Sequence, residues 1–125
     1  MRKIEHVVAK GSCEKEYGTK ITTITGIDEI KSVIEENECL HDWTLEFVAC
    51  DGEKGHITAK PYDSENLFHF DVIDIQKFSI DLDVLIRWIT EMEIDVVEDC
   101  VTLTFHGIGI QMTAKGVTLS IKEKE

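Results

Sequence analysis

The chain lacks most of what staples or punctuates a small protein. One proline and eight glycines in 125 residues leave no room for a disordered linker or a low-complexity tract. Four cysteines, Cys13, Cys39, Cys50 and Cys100, are scattered and form no CxxC. That spacing supports neither a zinc knuckle nor a thioredoxin-type redox pair, and buried free thiols are the expectation. No stretch approaches the roughly 18 uncharged apolar residues of a membrane-spanning helix. The start, Met1 to His6, has bases but no apolar run behind them, so no signal peptide is expected and the protein reads as cytoplasmic. There is no internal repeat, no P-loop and no GxGxxG, and neither serine Ser12 nor Ser120 sits in a nucleophile elbow.

Bases are also scarce. Thirteen lysines and arginines face 25 aspartates and glutamates, for a net charge of −12. The acidity is concentrated in two blocks: Asp28 to Glu53 carries nine carboxylates against Lys31, and Asp63 to Asp99 carries eleven against Lys77 and Arg87. A field of this sign repels nucleic acid and anionic membranes and draws in positively charged partners. It also keeps a small protein dispersed in water, so the charge alone does not define a site.

The apolar pattern predicts one α+β domain over residues 1–125. A chain of this length buries roughly two-thirds of its unfolded surface, enough for a core without disulfide or metal. Two strands open it, Ile4 to Ala9 and Lys20 to Thr25. Ile27, Ile30 and Ile34, with Val33 beside them, then predict an amphipathic helix ending near Glu38, with Thr25 and Asp28 spaced as a capping box. Trp43 to Phe47 alternates as a half-buried strand, turns at Asp51 to Gly55 and returns at His56 to Lys60. Leu67 to Ile73 is a further strand. Leu82, Leu85, Ile86, Ile89 and Met92 predict a second amphipathic helix, capped by Asp81. Val101 to Phe105, Ile108 to Met112 and Val117 to Ile121 alternate as a C-terminal three-strand meander, broken at Gly107 and at Lys115-Gly116. The expectation is a mainly antiparallel sheet of hairpins and that meander, with two amphipathic helices packed on it.

Candidate chemistry is sparse. Cys39-Leu40-His41 offers a single short pair, where structural zinc sites use two, so no metal or cofactor is expected. His69 and Asp71 lie two apart on one strand and share a face, which makes them the candidate for a base with an orienting acid, or for a ligand site. The carboxylates give a second signal. Glu35, Glu36 and Glu38 close the first predicted helix, with Asp42 just beyond, and Glu91, Glu93 and Asp95 close the second. Anions are disfavoured at the negative end of a helix dipole by roughly 0.3–1 kcal/mol each. Two helices breaking that rule alike mark these seven residues as the candidate surface for a basic protein partner.

In character the chain resembles the small cytosolic immunity and inhibitor proteins that neutralise toxic nucleases. The resemblance lies in size, acidity and the lack of a catalytic constellation, and it carries no motif and transfers no residue. It implies a non-catalytic binding protein whose carboxylates fill a partner's phosphate-binding cleft. The competing expectations are a small enzyme or ligand-binding domain built around His69 and Asp71, and a self-associating structural subunit.

Overall fold

The computed structural model describes residues 12–16, 19–62, 64–81 and 88–124. Its strands are β1 (Ser12–Glu16), β2 (Thr19–Ile24), β3 (Thr44–Cys50), β4 (Lys54–Lys60), β5 (Leu67–Ile80), β6 (Glu91–Val97), β7 (Cys100–His106) and β8 (Ile110–Lys124). One helix, α1 (Ile27–Glu36), stands between β2 and β3. All pairings are antiparallel, in the order β1-β2-β8-β5-β4-β3, with β7 also on β8 and β6 outermost on β7.

β8 is the hub. Its C-terminal half lies between β2 and β5, and its N-terminal half between β7 and β5. The two apolar triplets around Lys115-Gly116 therefore belong to one strand, and the expected turn there does not exist. The alternation instead slips by one residue: Ile110, Met112 and Ala114 are buried, then Val117 and Leu119. A one-residue slip would turn half the strand inside out. Both strands absorb it at the same place. Asp74 on β5, opposite Lys115, is left-handed (φ 55°), and the β5–β8 register shifts between Ile75 and Lys77. Both halves of β8 thus face one core. The third strand of the meander is β6, which pairs with β7 from Glu91↔His106 to Val97↔Cys100.

The second predicted helix is overturned over the part that is described. Trp88 forms an antiparallel bridge with Thr44, and the Ile89 N–H donates to the Trp43 carbonyl (2.7 Å). From Glu91 onward the period is two: Met92 and Ile94 are buried while Glu91, Glu93 and Asp95 are exposed. Ile89 and Met92, three apart, would face opposite sides of an unbroken strand, but the chain bends at Thr90 between them and both are buried, so their spacing mimics a helical stripe. Leu82, Leu85 and Ile86 lie outside the described residues, as does the first predicted strand, Ile4 to Ala9. The described chain is thus mostly antiparallel sheet with one helix, and α+β fits it only loosely.

α1 forms where its isoleucines predict, but the capping box does not. Gly26 is the N-cap, without a side-chain cap bond, and the Glu29 carboxylate folds over the place a Cβ on Gly26 would take. Ile30 and Ile34 face the core with Leu40, Trp43 and the inner residues of the sheet. Burying each such side chain contributes about 1.5–3 kcal/mol. Edge-on aromatic contacts run through this core, from Trp43 to Phe68 (4.7 Å), on to Phe70 (6.4 Å) and then Phe105 (5.8 Å).

Candidate functional site

The C-terminal end of α1 shapes an acidic concavity. Asn37 holds the last carbonyls, its side-chain amide donating to the Val33 carbonyl at 2.8 Å. The chain then makes a turn in which Glu38, Cys39 and Leu40 are all left-handed, with φ of 55°, 53° and 57°. None is glycine, and for such residues the conformation costs roughly 1–2 kcal/mol apiece. Leu40, fully buried, anchors the turn in the core. Backbone strain of this kind persists only where packing over-determines it, and it clusters at functional sites.

This turn and α1 lie against β6. Among the described residues β6 pairs with β7 alone, so its other edge looks toward the turn and the helix. Between them is a groove of about 210 Å³ lined by Lys31, Ile34, Glu35, Cys39 and the β6 residues 91–95. Among the described residues, Glu35, Glu91, Glu93 and Asp95 thus stand against one ammonium, Lys31, a local charge of −3. The floor is apolar, from Ile34, Met92 and Ile94. Burial, and then the carboxylates of Glu91, Glu35 and Glu93, push the Cys39 thiol above its ordinary value. A thiol held protonated is a poor nucleophile. Glu93 also meets His106 on β7, Oε1 to Nε2 at 2.6 Å.

The seven predicted carboxylates therefore divide. Four line the groove. Glu36 and Glu38 are exposed beside it but are not among its lining residues. The helix-dipole argument holds for Glu35 and Glu36, in the last turn of α1, which has no basic residue. It fails for Glu91, Glu93 and Asp95, which are strand residues. Asp42 belongs to a second cavity, of about 280 Å³, lined among the described residues by Thr44, Tyr62 and Trp88. Lys31, Tyr62 and Trp88 were missed in the sequence, and Cys39 was weighed only as a metal ligand. Only Trp88, beside the apolar stripe, gave a usable signal.

His69 and Asp71 do share a face of β5, but each is engaged across the ladder with β4. Asp71 contacts His56 Nδ1, and His69 Nδ1 lies 2.8 Å from the Thr58 hydroxyl. His69 belongs to a row of register partners, Thr23, Ser120, His69 and Thr58, crossing β2, β8, β5 and β4. The three hydroxyl residues of this row are buried. His69 Nε2 is buried as well and has no hydrogen-bond partner among the described residues. Burial, with help from Lys122 and His56 and against the pull of Asp71, lowers the proton affinity of His69. Neither His69 nor Asp71 lines either cavity.

No known protein family, curated protein or solved structure matches the chain. Among the described residues, no three His, Cys, Asp or Glu side chains come together to hold a metal ion. No helix among them is long and apolar enough to cross a membrane.

Proposed function

We propose that this chain is a non-catalytic binding protein that captures a basic protein partner in the groove between α1, the left-handed turn and β6. One observation carries the reading. Glu35 and the alternating Glu91, Glu93 and Asp95, more than fifty residues apart in sequence, line a single groove against one opposing lysine among the described residues. The strained turn beside it, and the edge of β6 that has no strand partner among the described residues, support the same location. Fast, salt-sensitive association follows from such a field. The partner that fits best is a protein whose own working surface is basic because it handles a polyanion, such as a toxic nuclease, with this chain as its inhibitor.

The test is fluorescence anisotropy with a labelled nona-arginine peptide. Binding should saturate and weaken as salt rises. Replacing Glu91, Glu93 and Asp95 together by Gln, Gln and Asn should weaken it about ten-fold, roughly 1.4 kcal/mol. The charge-matched set Asp28→Asn, Glu36→Gln and Glu53→Gln should cost far less. Equal losses from the two sets would reduce the effect to net charge and overturn the groove.

A further inference from the structure

The second cavity has a different chemistry from the groove. Its backbone is pinned. The Asp42 N–H donates to the Ile89 carbonyl (2.8 Å) and the Ile89 N–H to the Trp43 carbonyl (2.7 Å), both next to the Thr44↔Trp88 bridge on its Ile89 side. Trp43 and Ile89 turn into the core. Thr44 and Trp88, partners in one bridge, stand side by side on the outer face, and Asp42, left-handed with φ 67° and exposed, lines the same cavity. Trp88 keeps 49% of its surface exposed and Tyr62 keeps 85%. Large aromatic surfaces left in water beside a carboxylate are the components of a cation site: ring faces attract a cation within about 6 Å, and Asp42 adds a full negative charge. Asp42 is the one charged side chain among the described lining residues. Nearby Lys60 turns its amine to the Pro61 carbonyl (3.2 Å).

We infer that the cavity formed by Asp42, Thr44, Tyr62 and Trp88 is a binding site for a weakly hydrated organic cation, a guanidinium or an alkylated ammonium. The cation packs on the indole and phenol faces and its charge meets Asp42. His41 Nδ1 approaches Oδ2 of that carboxylate at 3.3 Å, so Oδ1 is the oxygen assigned to the ligand. A guanidinium or methylated ammonium gives up its water more readily than a compact, strongly hydrated ion, which sets the selectivity. This inference does not rest on the acidic groove.

The experiment is a proton–nitrogen NMR titration with tetramethylammonium chloride and with N-acetyl-arginine methylamide, against sodium chloride at equal ionic strength. The expected result is a saturable shift of the Trp88 indole N–H and of the Asp42 and Thr44 amides, with dissociation constants on the order of millimolar. Trp88→Leu keeps an apolar side chain but removes the ring, and should weaken binding about five-fold. Asp42→Asn should do the same, and Glu53→Gln, in the turn between β3 and β4 and in neither cavity, should leave binding unchanged. Because Trp88→Leu perturbs the bridge, Tyr62→Leu serves as the second variant at a side chain that is almost fully exposed, with a loss of about three-fold expected. Shifts that match those of sodium and never saturate would overturn the site. So would wild-type affinity in both Asp42→Asn and Tyr62→Leu.

Discussion

Thr44 and Trp88 are joined as an antiparallel bridge, and both line the cavity that Asp42 and Tyr62 complete among the described residues. Beyond Trp88 the chain passes through Ile89 and Thr90 into β6, whose residues 91–95 line the acidic groove. The aromatic pocket and the acidic groove thus draw on adjacent stretches of one segment.

The loop between β7 and β8 presses on that bridge. Gly107 has φ 91°, and a Cβ there would meet Thr90 Cγ2 at 2.8 Å and the backbone of Thr90 and Trp88 at 2.9 Å. Gly107→Ala is expected to lose about 1–3 kcal/mol of stability, since both the dihedral and the contact oppose it. Urea unfolding monitored by circular dichroism checks this. An unchanged midpoint would show that the 88–90 segment is not held as described.

Strain in the turn predicts a gain. Glu38→Gly and Cys39→Gly should each stabilise the protein by up to about 1 kcal/mol, because glycine accepts the left-handed region at no steric cost while adding some unfolded-state entropy. Leu40→Ala should instead lose about 2–5 kcal/mol, as buried leucines do. Destabilisation by both glycine variants would contradict the left-handed backbone.

His69 makes stability depend on pH. Its folded proton affinity lies below that of an unfolded histidine, whose pKa is about 6.5. Over the interval between the two values the unfolded chain binds more protons than the native one, so native stability falls as pH falls. The contribution is complete above about 6.5 and is lost as pH drops toward the folded value. Denaturant midpoints between pH 7 and 5 should decline less steeply in His69→Gln than in wild type. An NMR titration of His69 at or above the ordinary histidine value would sink the argument.

Cys39 reports on the groove without any ligand. Burial and the carboxylates of Glu91, Glu35 and Glu93 keep its thiol protonated, so alkylation by iodoacetamide at pH 8 should be slower at Cys39 than at the exposed Cys50. Glu91→Gln with Glu93→Gln should speed the Cys39 reaction about two-fold, the scale of a screened surface interaction of roughly 0.5 kcal/mol. Peptide mass spectrometry resolves the two sites. No change in the Cys39 rate would place those carboxylates away from the thiol.

Where an element is short and its apolar residues keep one period, the fold was legible. α1 and the β3–β4 hairpin lie where Ile27, Ile30 and Ile34 and the Asp51–Gly55 turn place them. Legibility failed where one pattern had two solutions. Ile89 and Met92 fit a helical stripe until the alternation from Glu91 to Asp95 is read with them. Lys115-Gly116 carries turn residues inside a strand, and only the kink at Asp74 on its neighbour shows why. The acidic site was half legible. Glu35 and the β6 carboxylates were singled out on a helix-dipole argument that is right for α1 and wrong for β6. Asp42 went to another cavity because the left-handed turn redirects the chain, and no local residue signals a left-handed run without glycine.

β8 is also the strand on which assembly waits. β1-β2, β3-β4-β5 and β6-β7 are hairpin units that form from nearby residues, yet among the described strands only β8 pairs with all three, down to the pairing of Thr19 with Lys124. During synthesis the three units are complete before β8 emerges, each with an apolar face and an open edge. Closing such distant pairs makes folding slow, in the millisecond-to-second range typical of sheets with non-local contacts. Until β8 arrives, those edges are where chains would stick to one another.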